Sequence, residues 1–115
     1  LHEDYKRMVL EARITDTVLV GRGKLPVRSV RNNFTERVLA AERDGMPGTD
    51  PEGFERLLAS ATLKQASFDG DTANGKVEAG QCAGLIDRIQ PAAQIMAELI
   101  ADTERALKRL SDMQS

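Results

Sequence analysis

The end of the chain constrains the fold more than any other segment. After Pro91, apolar residues recur at spacings of three and four, which predicts one long amphipathic helix that opens at that proline. Aromatic residues make up only 3% of the chain and none is Trp, so few large side chains are present to cover its apolar face. The sequence therefore predicts a chain that packs against a partner body. The residues expected to face inward are Ile95, Met96, Leu99, Ile100, Thr103, Leu107 and Leu110.

Composition narrows the class of partner. The 115 residues suit one domain, and the net charge of -2 argues against a nucleic-acid binder, which usually carries a strongly basic face. No apolar run approaches the roughly 20 residues that a membrane-spanning helix needs, so no membrane partner is expected. The single cysteine, Cys82, excludes an internal disulfide and fits a reducing, cytoplasmic setting.

Two short runs near the N-terminus predict a β-hairpin. The first covers residues 17–20 and stops at Gly21, and the second covers residues 27–30 after Pro26 with apolar and polar residues alternating. A helical pattern over residues 3–13 precedes them. Two strands this short make only a marginal hairpin in water, which again indicates that the chain packs on something larger.

Two further helices are predicted after the hairpin. Asn33 is expected to cap the first, with Glu36 completing a capping box and Gly45 ending it. Asp50 and Pro51 start the second, because proline is favoured at the first helical position. Their core-facing residues would be Phe34, Val38, Leu39 and Ala41 in the first helix and Phe54, Leu57, Leu58 and Ala61 in the second.

Several short patterns resemble known sites without completing them. The basic sequence over residues 21–24 lacks both the first glycine and the final Ser or Thr of a phosphate-binding loop, which favours a turn. The acidic run over residues 69–74 has Ala73 and Asn74 where a calcium loop needs an oxygen ligand and a glycine, so it too reads as a turn. Asn33 stands in a glycosylation sequon but is better explained as a cap. No metal site is expected.

Candidate catalytic residues are scarce. His2 is the only histidine, and near a chain end we expect it to be solvated rather than a general base. A local basic cluster has two interpretations, a solvated face or a docking surface for an anionic cofactor or a phosphate-bearing carrier. The cluster consists of Arg22, Lys24, Arg28, Arg31 and Arg37.

The small-residue motif within residues 75–86 is the strongest functional candidate. An extended run breaks at Gly80, and small residues then open a predicted helix, which would let the backbone approach a helix, a sheet or a flat cofactor. Cys82 at a helix start could be a reactive thiolate, but the pattern favours a small buried residue. Gln81 is open between two interpretations: its amide satisfies local backbone groups, or it bonds a flavin ring edge or a substrate carbonyl.

Six segments in order resemble the C-terminal third of the FMN-dependent 2-nitropropane dioxygenase superfamily. That superfamily includes nitronate monooxygenases and enoyl-acyl-carrier-protein reductase II. The resemblance extends over nearly the whole chain and is loose only over residues 44–65. The matching segments are His2-Glu3-Asp4-Tyr5-Lys6, Asp16-Thr17-Val18, Val27-Arg28-Ser29-Val30-Arg31-Asn32, Gly70-Asp71 through Gly75, Ala79-Gly80-Gln81-Cys82-Ala83-Gly84-Leu85-Ile86 and Gln90-Pro91-Ala92.

The resemblance implies an α/β fold, namely the C-terminal portion of a (β/α)₈ barrel that carries FMN at the C-terminal ends of its strands. Residues 1–16 would be a barrel-associated helix, residues 17–76 a mostly helical lid with the small hairpin, and residues 77–115 the return to the barrel and the last helix. Gly80, Gln81 and Cys82 would lie near the flavin.

The family's catalytic histidine and phosphate-binding loops would lie upstream of Leu1, so the resemblance implies no catalytic residue in this chain. The chain would be the C-terminal piece of a longer enzyme, inactive alone, with the N-terminal barrel portion as its partner. NAD(P)H and a small-molecule or acyl-carrier substrate would complete the reaction, and a homodimer is compatible. Nitronate oxidation and enoyl reduction both remain open. The alternative from another class is a non-catalytic helical interaction module that docks through its last helix.

Overall fold

A computed structural model of the chain describes residues 1–114. Over these residues it contains five α-helices, one 3₁₀ helix and one two-stranded antiparallel sheet. The elements are α1 (Glu3–Glu11), β1 (Thr17–Val20), β2 (Val27–Val30), α2 (Asn33–Arg43), α3 (Pro51–Ala59), α4 (Leu63–Ser67), the 3₁₀ helix (Gln81–Leu85) and α5 (Ala92–Met113).

The predicted hairpin is confirmed. Strands β1 and β2 pair in a register that sets Thr17 opposite Val30 and Val20 opposite Val27. Gly21 starts the connecting turn with a φ of +84°, a left-handed conformation that favours glycine, and its carbonyl accepts hydrogen bonds from Lys24 and Leu25. A side chain at Gly21 would overlap the Leu25 carbonyl, so the glycine serves the turn and the interpretation of residues 21–24 as a turn is confirmed.

The cap of α2 was predicted one residue too late. Asn32, not Asn33, is the N-cap. Its side-chain Oδ1 accepts from the backbone amide of Thr35 at 3.0 Å, and its backbone amide donates to Thr35 Oγ1 at 2.9 Å. Glu36 therefore has no part in the capping box. Two adjacent asparagines offer the same capping chemistry, and the hydroxyl of Thr35 stands three residues after the first of them.

Helices α2 and α3 enclose one core with strand β1. Phe34 and Val38 of α2 pack with Phe54 of α3, and each is at most 1% exposed. Ala61 and Val20 complete the buried set, and the other predicted core residues of the two helices are partly buried against it. The sequence pattern of both helices is thereby confirmed.

A second core joins segments that are distant in sequence. Tyr5 of α1, Val30 of β2, Ala66 of α4 and Val77 form one buried cluster. Helix α4 was not predicted, although its start carries a recognisable capping box in which Thr62 is paired with Gln65.

Helix α5 has no buried residue within the described chain. It runs for 22 residues, about 33 Å, and the radius of gyration of 18.1 Å exceeds the roughly 13 Å of a compact domain of this length. The prediction that its apolar stripe faces inward is therefore wrong for this chain by itself, because no other segment within residues 1–114 covers the stripe. Its large apolar side chains, each about half exposed or more, are Ile95, Met96, Leu99, Ile100, Leu107, Leu110 and Met113.

Candidate functional site

Residues 77–79 extend the hairpin into the candidate site. Val30 donates its amide to the Val77 carbonyl at 2.8 Å, and Ala79 donates to the Arg28 carbonyl at 3.2 Å. An isolated antiparallel bridge between Ser29 and Glu78 lies between these bonds. The extended run that the sequence indicated before Gly80 thus lies along the free side of β2.

Tyr5 holds this run against α1. Its hydroxyl donates to the Glu78 carbonyl at 2.8 Å, and its ring packs on Val77, whose side chain is fully buried. Burial, reinforced by the nearby Glu78 carboxylate, raises the pKa of Tyr5 above its ordinary value, while the hydrogen bond to the Glu78 carbonyl acts in the opposite direction. Helix α1 and the extended run are therefore coupled through one side chain.

Tyr5→Phe is expected to cost about 1 kcal/mol of stability at neutral pH, because it removes the hydroxyl that satisfies the Glu78 carbonyl. The raised pKa means that the folded chain favours neutral Tyr5. Its contribution is fully present below the unfolded value of about 10 and is lost as pH rises through the higher folded value.

The measurement is urea unfolding at several pH values. Above about pH 10 the wild-type chain should lose stability with pH faster than Tyr5→Phe does, and below pH 9 the difference should be constant. If the free energies of unfolding of the two proteins changed in parallel over the whole pH range, the link between Tyr5 ionisation and folding would be contradicted. Tyr5 is the only tyrosine, so no other phenol complicates the comparison.

The chain turns sharply after Gly80. The predicted helix is a short 3₁₀ helix over Gln81–Leu85, with Ala83 donating its amide to the Gly80 carbonyl at 3.0 Å. Two glycines within five residues lower helix propensity, which explains why no α-helix propagates. The predicted close approach occurs at Gly84, where a side chain would overlap the backbone of Ile14, and Ala83 is buried beside it.

Residues 80–82, which we call the Gly80 edge, are all exposed. A side chain at Gly80 would meet only Cys82 Sγ, at 3.7 Å, so the space beside this glycine is open. The amide of Gln81 has no hydrogen-bond partner among the described residues, and Cys82 is a free, exposed thiol. The prediction of a buried Cys82 is therefore wrong, and of the two interpretations of Gln81 the local one has no support.

The other predicted candidates have local roles. His2 is half-buried rather than solvated: Nδ1 accepts from the Asp4 amide at 3.1 Å, which caps α1, and the ring lies over Gly70, where a side chain would collide with it. Asp71 organises its turn, and hydrogen bonding from Gln65 lowers the pKa of Asp71. No group of three or more potential metal ligands occurs within residues 1–114.

Most of the basic cluster is paired within the chain. Arg22 lies 3.4 Å from Glu42, Lys24 lies 3.6 Å from Glu55, and these charges are largely compensated. Arg31 is likewise 3.7 Å from Glu36, and Arg28 donates to Thr17. The cluster is thus distributed over separate pairs rather than converging on one anion site.

The exposed apolar surface of α5 continues into a groove beside α1. The groove has a volume of about 290 Å³ and is bounded on one side by α1 and on the other by the segment leading into α5. Its lining is mostly apolar and also includes Lys6, Arg88 and Gln90. The apolar residues of the groove are Leu1, Tyr5, Val9, Leu10, Ile86, Ile89 and Ile95.

No helix in the described part of the chain is long and apolar enough to cross a membrane.

Comparison with known proteins finds similarity among solved structures only. No family model and no curated protein matches the sequence. The chain is similar to FabK from Thermotoga maritima, with 31% identity and a TM-score of 0.80 over 96% of this chain and 34% of that one. A methionine-to-alanine variant of the same FabK gives 29% identity and a TM-score of 0.70, covering 96% of this chain and 30% of that one. The chain thus spans about a third of the length of FabK.

Proposed function

We infer from the similarity to FabK, an enoyl-ACP reductase II of the 2-nitropropane dioxygenase-like family, that this chain is a segment of an FMN-dependent oxidoreductase of that kind. The observation that carries the proposal is the match over 96% of the chain. The similarity to FabK also favours enoyl reduction over nitronate oxidation as the reaction of the full-length enzyme.

The uncovered apolar surface supports the inference that a larger polypeptide packs against this chain. Helix α5 and the groove beside α1 expose many large apolar side chains, and grouped exposed apolar residues often mark an interaction surface. We propose that the N-terminal barrel portion of the same enzyme covers them, and that α5 packs on the outside of the barrel. Residues 1–16 and 77–115 would then belong to the barrel, and residues 17–76 to its lid.

The Gly80 edge suits one wall of a flavin pocket. Open space beside Gly80 allows a flat ring to approach the backbone, and the unpartnered Gln81 amide offers both a donor and an acceptor to a ring edge or a substrate carbonyl. Cys82 adds an exposed thiol next to them. When bound, FMN supplies the hydride-transfer chemistry, for which NAD(P)H is the proposed reductant.

The residues that bind the FMN phosphate and the catalytic histidine would come from outside this chain. The basic side chains are mostly paired with carboxylates, so binding of the FMN phosphate is assigned to residues of the barrel portion. The catalytic histidine is assigned there as well, because His2 serves as a helix cap. The chain alone is accordingly proposed to be inactive, and the enzyme to be cytoplasmic with an acyl-carrier or small-molecule substrate.

The test begins with intact mass and visible absorption of the protein purified from its native source. Flavin bands together with a covalently continuous or co-purifying larger polypeptide would support the proposal. A colourless, folded 12.6 kDa monomer or dimer would contradict it and favour the alternative, a non-catalytic interaction module that docks through α5.

In the flavin-carrying protein, Gln81→Ala is expected to weaken FMN or substrate binding about tenfold, since the proposed hydrogen bond from the Gln81 amide to the bound ring or substrate is lost. The matched control is Gln114→Ala, which removes an exposed amide at the far end of α5 and should change neither affinity. Equal behaviour of the two variants in both titrations would refute the assignment of Gln81.

A further inference from the structure

Asn32 lies where strand β2, helix α2 and the loop over residues 72–75 meet. Its Oδ1 accepts from the Thr35 amide at 3.0 Å, while Nδ2 donates to the Thr72 carbonyl at 2.9 Å and the Gly75 carbonyl at 2.7 Å. One N–H group needs an acceptor and two carbonyls need donors, so only one orientation of the side-chain amide satisfies all three.

This set of partners explains why the residue is asparagine. Ser, Thr and Asp cap helices about as well, since capping requires only a side-chain acceptor. Among these capping residues only asparagine adds an NH₂ group with two donors. The side chain of Asn32 therefore does two separate tasks, and only one of them concerns the helix.

The second task concerns the loop that leads to the Gly80 edge. Gly75 is buried, and a side chain there would lie 2.7 Å from the Ala66 amide, so the loop is held between Asn32 and α4. Two residues after Gly75, Val77 begins the run over residues 77–79 that pairs with β2, and Gly80 is the first residue after this run. The loop's position thus determines where the Gly80 edge emerges.

We infer that Asn32 is a positioning residue for the Gly80 edge, acting through its Nδ2 hydrogen bonds to the loop. Its relevance to flavin binding rests on the proposed function. The hydrogen bonds that it makes stand independently of that proposal, and the two are tested separately.

The first test is amide hydrogen exchange on the full chain carrying Asn32→Asp. Aspartate keeps the cap acceptor but sets a carboxylate against two carbonyls, so the amides of Val30 and Ala79, which pair the run with β2, should exchange at least about tenfold faster. Amides within α2, such as that of Val38, should change less than about twofold. If the aspartate variant fails to fold, Asn32→Ser keeps the cap with less repulsion and is expected to show the same pattern.

Thr35→Val is the matched control. It removes the hydroxyl of the capping box and leaves both Nδ2 bonds of Asn32 in place. Faster exchange should then appear in the first turn of α2 and not at Ala79. If the variants at Asn32 accelerate α2 and Ala79 equally, or leave Ala79 unchanged, the positioning role is refuted.

FMN titration of the flavin-carrying protein separates the two proposals. Faster exchange at Ala79 with weaker FMN binding in Asn32→Asp supports both. Faster exchange at Ala79 with unchanged FMN binding upholds the positioning role of Asn32 and overturns the location of the Gly80 edge at the flavin.

Discussion

Phe54→Ala is expected to destabilise the core of α2, α3 and β1 by about 3–5 kcal/mol, a large part of the stability of a domain of this size. Phe54 is fully buried and packs with Phe34 and Val38, so truncation leaves a cavity whose walls belong to three different elements. Urea unfolding followed by far-ultraviolet circular dichroism measures the loss.

Phe68→Ala is the matched control, since the same atoms are removed from a side chain that is 71% exposed. It should change the free energy of unfolding by no more than about 0.5 kcal/mol. Similar losses in the two variants would mean that Phe54 is not the centre of this core.

Placing lysines on the apolar stripe of α5 is expected to abolish its association with the proposed barrel portion. Leu99→Lys combined with Ile100→Lys removes two large side chains, each worth about 1.5–3 kcal/mol when buried, and introduces charges there. Association should weaken at least about a hundredfold. The measurement is retention of the chain by the co-expressed, flavin-carrying polypeptide.

The control for this variant adds the same two positive charges elsewhere on the helix. Gln94 and Ala101 lie on the side of α5 opposite the stripe, so Gln94→Lys combined with Ala101→Lys should leave association intact. Loss of association in the control, or its retention in the stripe variant, would contradict docking through this face.

Local patterns predicted the elements whose signals are confined to a few neighbouring residues. Pro51 after Asp50 starts α3 as expected, and the apolar spacing of Phe34 and Val38 identifies the buried side of α2. The resemblance to the superfamily likewise depended on six ordered segments, and the similarity to FabK supports it.

Other features depended on contacts between distant residues. The Nδ2 group of Asn32 bonds the loop carbonyls of Thr72 and Gly75, which lie about forty positions away in sequence, so no local pattern indicates these contacts. The close approach of Gly84 to Ile14 is also a contact between distant residues. The sequence predicted that a small residue here allows a close approach, but it did not identify which segment approaches.

Sequence patterns were enough to locate α1, the hairpin, α2, α3, α5 with its apolar stripe, and the Gly80 motif, because hydrophobic period, proline position and glycine act over one or two turns of chain. They did not identify α4. Packing in three dimensions was needed to show that the run over residues 77–79 pairs with β2, that the Gly80 edge is open and that no segment within residues 1–114 covers α5. Pairing and burial depend on which surfaces meet, and a pattern along the chain specifies a surface without specifying its partner.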